Sequence, residues 1–249
     1  FLGLHFFPAS NVSDEANLIR SFAASISTAS AVCDRFGLDI TELHLGGGFG
    51  AWFGSVGELP RYIELKQAMG DLLDEGFPGW RTGAPAVAVE SGRALVAAMG
   101  VLLCSVTDVK SSYGRQYAVT DSGVNHLGGF GALGRMIRSP LAPRLVEVGP
   151  ARSDQSAQRT TVVGPLCTPA DILVPDFQGP ELYRGDVLAI PSVGAYGLTA
   201  SLIGFLGHPA PVEILHDGGT IVSASRITLG RQTAKPRAGT MASSTEREE

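Results

Sequence analysis

The residues best suited to chemistry begin with His44-Leu45-Gly46-Gly47-Gly48-Phe49-Gly50, where an apolar strand runs straight into a glycine cluster. Without Cβ atoms, the backbone N–H groups of Gly46, Gly47 and Gly48 can approach an anion closely, and glycine tolerates the dihedrals such a loop needs. A phosphate site is one reading and a tight turn without a ligand is the other. Glu90 ends a second apolar run, where a carboxylate is costly unless it meets a positive partner such as a protonated heterocyclic nitrogen. Arg93, near a helix start, could add a charge-assisted bond to a phosphate; a structural salt bridge with Glu90 is the plainer alternative. Cys167, in VVGPLCTPAD, follows a strand on a Gly/Pro-rich segment, either as an exposed thiol able to donate a proton or as a small buried hydrophobe.

Alternating strands and helices must position the first of these groups. Phe1 to Phe7 reads as a buried strand, followed by a turn over Pro8 to Asn11 and a helix to about Phe36, with Ser13 as its N-cap and Asp14 and Glu15 in its first turn. Thr41 to Leu45 reads as the next strand. A helix from about Leu59 to Asp74 carries Tyr62, Leu65, Met69, Leu72 and Leu73 near helical spacing, then come a strand over Ala86 to Val89 and a helix over Ala94 to Met99. Such alternation is the tail of a parallel barrel or of an open parallel sheet, whose strand C-terminal ends carry the chemistry.

After about Gly100 the texture changes to short β-rich runs: 101–111, 115–120, 144–148, 159–163, 186–190 and 212–214, with short helical turns near 134–137 and 196–202. Three parts follow: residues 1–100 as α/β, 101–231 as an all-β domain, and 232–249 as a polar, charged, disordered tail. The 249 residues are 44% hydrophobic, ample for a buried core, and the net charge of −5 comes with no basic block. Neither a nucleic-acid surface nor a membrane helix is suggested. Cys33, Cys104 and Cys167 lack pairing or metal-ligand spacing, which fits a reduced, cytoplasmic setting and no metal site. The chain opens inside a strand, so it is expected to be the C-terminal part of something longer.

The succession HLGGGFG, VESGRALVAAMG, VVGPLCTPADIL and SVGAYGLTASLIGFLGHPAP resembles the fold-type III pyridoxal-phosphate decarboxylases, the group containing the ornithine and diaminopimelate enzymes. It covers nearly the whole chain up to the tail, in order; the combination is specific although no single motif is. The resemblance implies the C-terminal part of a (β/α)8 barrel followed by a β-sandwich or barrel-like domain of the alanine racemase type, in a homodimer with active sites at its interface. Pyridoxal 5'-phosphate is the implied cofactor. Gly46, Gly47 and Gly48 would hold its phosphate with help from Ser10, Gly92, Arg93 and Tyr196, and Glu90 would pair with the ring nitrogen and keep it protonated. Cys167 would act in the partner subunit's site as the proton donor, and Asp171 matches the family's acidic residue four positions later, either at the substrate or as a turn or cap.

Departures from the pattern sharpen the reading. The family's cofactor-linking lysine lies on an early barrel strand, and none of Lys66, Lys110 and Lys235 matches it, so this chain alone is expected to be inactive. Phe7 stands where relatives stack a histidine on the cofactor, keeping the stacking without the hydrogen bond; His5 matches an earlier histidine; and the usual EPGR is ESGR. Thr168 follows the cysteine where relatives acting on diamino acids carry Asp or Glu, which disfavours a substrate with a cationic distal end. With CTPAD and FLGHPAP, this resembles the subgroup decarboxylating amino acids tethered as thioesters to an acyl carrier protein in natural-product pathways. Arg135 and Arg138 could meet a pantetheine phosphate or an acidic carrier, or serve as solvated surface. The expected reaction is α-decarboxylation of an acidic amino acid on such a carrier. The alternatives are decarboxylation of a free amino acid, a non-catalytic relative that binds a partner enzyme, and a racemase.

Overall fold

The structure, a computed structural model, describes residues 1–127, 141–146 and 159–233. The chain forms two compact units, Phe1–His208 and Pro209–Glu249. Arg135, Arg138, the expected turn at 134–137, residues 147–148 of an expected strand and nearly all of the expected tail lie outside the described residues.

The first unit opens with three parallel strands in the order β1 (Gly3–His5), β2 (Glu42–His44), β3 (Ala86–Ala88), joined by α1 (Glu15–Phe36) and α2 (Leu65–Gly76). Burial of one helical stripe sets this arrangement. Leu18, Phe22, Ile26 and Ala29 recur at helical spacing along α1 and pack with Leu43 and Leu45 from β2 and its end, and with Leu65, Leu73 and Phe77. The strands are shorter than expected, and Phe1, Leu2 and Phe7 are exposed, so FLGLHFF is not a fully buried strand.

Both helix starts differ from expectation. The cap of α1 is Asp14 rather than Ser13: its backbone is extended and its carboxylate accepts from Asn17 N at 2.7 Å. Gly37 ends the helix in the left-handed conformation, φ 61°. The second helix starts at Leu65 rather than Leu59. Residues 52–58 close on themselves, with Trp52 Nε1 donating to Glu58 O at 2.8 Å, and Glu15 Oε1 accepts from Glu64 N at 2.6 Å and Leu65 N at 2.9 Å. A carboxylate from the first turn of α1 thus satisfies the first amide of α2 and the one before it. The expected helix over 94–99 is a short α3 (Arg93–Val96) followed by a 3-10 turn over Ala97–Met99.

After Gly100 the chain builds a six-stranded sheet from β4 (Leu102–Ser112), β5 (Arg115–Thr120), β6 (Arg144–Val146), β7 (Thr160–Val163), β8 (Ile172–Phe177) and β9 (Val187–Ile190), in the order β6-β9-β4-β5-β7-β8. The long β4 pairs with β9 through its first half and with β5 through its second. Cys104, Val106, Ala118, Val162, Leu173, Leu188 and Ile190 form the core beneath it, with Leu127 from a short α4 (Val124–Leu127). The second unit contains a hairpin of β10 (Val212–Asp217) and β11 (Thr220–Arg226). Sequence patterning missed β8 and β11. Pro175 lies inside β8, and is tolerated because that strand is the edge of its sheet; β11 is half Ser, Thr and Arg.

Replacing the cap by D14A removes the side-chain acceptor that Asp14 gives to Asn17 N at the start of α1. A loss of about 1 kcal/mol is expected, read as a lower denaturant midpoint with unchanged slope; an unchanged midpoint would show that Asp14 does not cap.

Candidate functional site

The glycine cluster sits where pairing between parallel strands continues beyond their formal ends. Phe6 N donates to His44 O at 2.9 Å, Leu45 N to Ala88 O at 3.0 Å, and Glu90 N to Gly46 O at 2.8 Å. Three successive strand-end segments are therefore stitched side by side. A Cβ on Gly46, at φ +69°, would fall 2.4 Å from Phe6 O, and one on Gly47 would fall 2.3 Å from Glu90 O. Gly48, at φ +100°, approaches Ala9 O. The glycines are thus demanded by the neighbouring backbones whether or not an anion binds.

Their amides tell the other half. Among the described residues, the N–H groups of Gly46, Gly47 and Gly48 donate no intramolecular hydrogen bond, although Gly46 and Gly47 are buried. Buried backbone donors without acceptors are rare, and a run of them at the carboxyl end of a parallel strand suits an anion. Two supports that the sequence did not reveal hold the loop. Asn11 Oδ1 accepts from Ala51 N at 2.9 Å, and Tyr62 takes a bond from Gly50 N at 2.8 Å while donating to Val12 O at 2.7 Å. Tyr62 lies before α2, so helical periodicity misassigned it; the polar tip of an otherwise apolar residue was the available signal.

Glu90 lies just past β3, with its side chain 44% exposed, and its partners are two histidines. His5 Nε2 is 3.1 Å from its carboxylate, and His44 Nδ1 is 3.5 Å from Oε1. His5 ends β1 and His44 ends β2, so parallel register brings the imidazoles to the carboxylate from two adjacent strands. A hydrogen bond from His5 holds the Glu90 carboxyl below its ordinary value, helped by His44 and partly opposed by desolvation. Sequence reasoning expected a positive partner for Glu90 but did not identify these two.

Arg93 opens α3, half-buried, with its guanidinium carbon 5.1 Å from the centre of the Tyr196 ring. Burial pulls its pKa down, and Tyr196 acts the other way. The contact exists because Gly194 lets the 193–196 segment meet the helix: Gly194 N donates to Ala97 O at 3.0 Å, and a Cβ there would lie 2.1 Å from Val96 O. Tyr196 itself has φ 64°, a left-handed backbone rare for an aromatic residue. Gly92 is exposed with open space around it, Ser10 is exposed on the loop between β1 and α1, and Phe7 packs its ring edge beside Gly46.

Cys167, Thr168 and Asp171 form a separate group between β7 and β8. Cys167 is exposed, and Thr168 Oγ1 accepts from Ala170 N at 3.3 Å. Asp171, expected either at the substrate or as a turn or cap, is the buried member of the group. It is 2% exposed, and its carboxylate faces backbone amides of its own chain. Of the other thiols, Cys104 is buried and its pKa is pushed up to about 12, while partial burial and the nearby Asp34 and Asp39 raise that of half-buried Cys33. Lys66 lies on α2 and Lys110 on β4, both exposed and neither at the strand ends that carry the glycines and Glu90. Among the described residues there is no cluster of three or more potential metal ligands, and no helix is long and apolar enough to cross a membrane.

Comparison with known proteins fits this geometry. Residues 21–194 match the family model described as pyridoxal-dependent decarboxylase, C-terminal sheet domain. The chain is 30% identical over 220 residues to the L-glutamyl-[BtrI acyl-carrier protein] decarboxylase of Niallia circulans, covering 88% of this chain and 51% of that protein. It is 27% identical to the diaminopimelate decarboxylase of Methanothermobacter thermautotrophicus, covering 88% and 49%. The diaminopimelate decarboxylase of Helicobacter pylori superposes with a TM-score of 0.69 at 23% identity, covering 88% of this chain and 50% of that one. The chain thus spans about half the length of the relatives it matches. The shared fold identifies the three parallel strands and their helices as the C-terminal part of a (β/α)8 barrel, followed by a β domain.

The His5–Glu90 contact makes a pH prediction. Because the folded-state pKa of Glu90 is lowered, the stabilisation it brings is present above the unfolded glutamate pKa and is lost as pH falls through the lowered value. H5A is expected to move the Glu90 titration upward, measured by carboxyl-carbon NMR; an unmoved titration would remove His5 as the cause.

Proposed function

The chain belongs to the pyridoxal-dependent decarboxylases, and from that premise we propose that it forms the C-terminal part of an enzyme acting on a carrier-bound amino acid. The reaction is loss of the α-carboxylate, and the substrate is an acidic amino acid such as glutamate or aspartate, held as a thioester on an acyl carrier protein. The observation that carries the substrate reading is Thr168, a neutral hydroxyl beside the exposed Cys167. A carboxylate there would attract a distal ammonium; a hydroxyl suits the uncharged thioester end. The Niallia circulans relative, an L-glutamyl-[BtrI acyl-carrier protein] decarboxylase, supports this reading.

The residues present fit the cofactor. The acceptor-free amides of Gly46 to Gly48 would hold its phosphate, with Ser10, Gly92, Arg93 and Tyr196 contributing from neighbouring loops. Phe7, exposed beside Gly46, would cover a ring face. Glu90, kept ionised by His5 and His44, would hold a proton on the ring nitrogen. When bound, pyridoxal phosphate supplies the sink for the electron pair left on the α-carbon as CO2 departs. Cys167, from the other subunit of a homodimer, then delivers a proton to that carbon. In this reading residues 1–100 close the barrel, 101–231 form the β domain, and the complete protein is a cytoplasmic dimer.

Diaminopimelate decarboxylases among the relatives support a second reading, a free amino acid as substrate. The complete protein, extended upstream and loaded with pyridoxal phosphate, distinguishes the two. It is given free aspartate, glutamate, ornithine, lysine and diaminopimelate and the aspartyl and glutamyl carrier thioesters, with mass spectrometry following CO2 loss. Loss only from a loaded carrier is expected; loss from a free diamino acid would overturn the substrate reading, and loss from none would favour a binding protein. In the same enzyme C167A is expected to release CO2 while forming less than one amine per CO2. A ratio held at one would remove Cys167 as the proton donor.

A further inference from the structure

Asp171 is a buried carboxylate with both oxygens committed to its own chain. Oδ2 accepts from Leu166 N at 2.7 Å, the amide directly before Cys167, and Oδ1 accepts from Val124 N at 2.8 Å, at the start of α4. Its backbone closes the same turn: Gly164 N donates to Asp171 O at 3.0 Å and Asp171 N to Thr168 O at 3.1 Å, while Thr168 N donates to Leu166 O at 2.8 Å. Gly164, Leu166 and Thr168, which flank the thiol on both sides, are therefore each bonded directly to Asp171.

The pocket for the carboxylate is built by absence of side chains. A Cβ on Gly123 or on Gly164 would lie 2.3 Å from a carboxylate oxygen of Asp171. These two glycines lie against each other, one following β5 and one following β7, which are parallel neighbours in the sheet. A charge 2% exposed is expensive to desolvate, and here it is repaid by two short bonds from backbone N–H groups. An asparagine of the same shape offers one acceptor and one donor, so one of the two amides would face a donor. What the carboxylate alone provides is two acceptors that fix two segments at once.

We propose that Asp171 is the positioning residue of the Cys167 thiol: it rivets the Cys167-Thr168 turn to α4 and so sets where the thiol stands when it delivers its proton. This rests on the assignment of Cys167 as proton donor, and it makes α4 part of the same device. Asp171 acts through the turn and touches no substrate.

Amide hydrogen exchange followed by NMR on the full chain tests the rivet without any activity. In the unaltered chain, Leu166 N–H should be protected although it lies in a loop, and so should Val124 N–H. D171N should speed exchange at both by at least ~10-fold together, while β4 and β5 amides keep their rates and Cys104 stays closed to alkylation. Fast exchange at Leu166 in the unaltered chain overturns the proposal even where D171N fails to fold. In the complete holoenzyme, D171N should lower the amine formed per CO2 released with KM little changed. A ratio held at one for D171N, with C167A below one, overturns positioning by Asp171; a ratio held at one for both, with the exchange result standing, overturns instead the role given to Cys167.

Discussion

The close lateral approach of strand ends is the constraint on which the site depends. Parallel strands normally diverge into their loops, yet here hydrogen bonds from Phe6, Leu45 and Glu90 carry the pairing one or two residues further. That extension leaves no room for side chains on Gly46 and Gly47, which lie against the carbonyls of Phe6 and Glu90. Among the described residues their amides donate to no acceptor. One geometric demand, close backbone packing, thus produces a second property, a set of donors left for an anion.

The same register assembles the charge partners. His5 and His44 occupy the last positions of adjacent strands and pair with each other across the sheet, so their rings meet Glu90, which follows the third strand, without any specialised loop. The Arg93 side is built differently. It relies on Gly194 pressing against helical carbonyls, and on a left-handed Tyr196, so it is positioned by tertiary packing between the barrel part and the sheet.

How much was legible in the sequence follows from those two modes. The glycines, Glu90, Arg93 and Cys167 drew attention by residue type and spacing, although the carboxylate expected to be buried is 44% exposed. The alternation of strands and helices was readable from apolar periodicity, and the core of α1 follows it residue by residue. What escaped was whatever depends on a distant partner. Ser13 and Asp14 are both good caps, and only the path of the chain decides for Asp14. The late start of α2 is set by Glu15, 50 residues away in sequence from Leu65. β8 was hidden by Pro175, which is acceptable only at a sheet edge that the sequence does not mark. Asp171 read as a turn residue or a substrate contact because its two glycine neighbours lie on different strands' ends.

The seating of Tyr196 has an energetic corollary. Tyr196 follows β9, an interior strand of the six-stranded sheet, while Arg93 and the glycines follow strands of the parallel sheet. A ligand touching both would bind only when both hydrophobic cores are intact and mutually docked. By mass action its binding free energy would be shared between them. Cofactor occupancy would therefore act as a thermodynamic cross-brace, raising the cooperativity with which two separately built sheets melt.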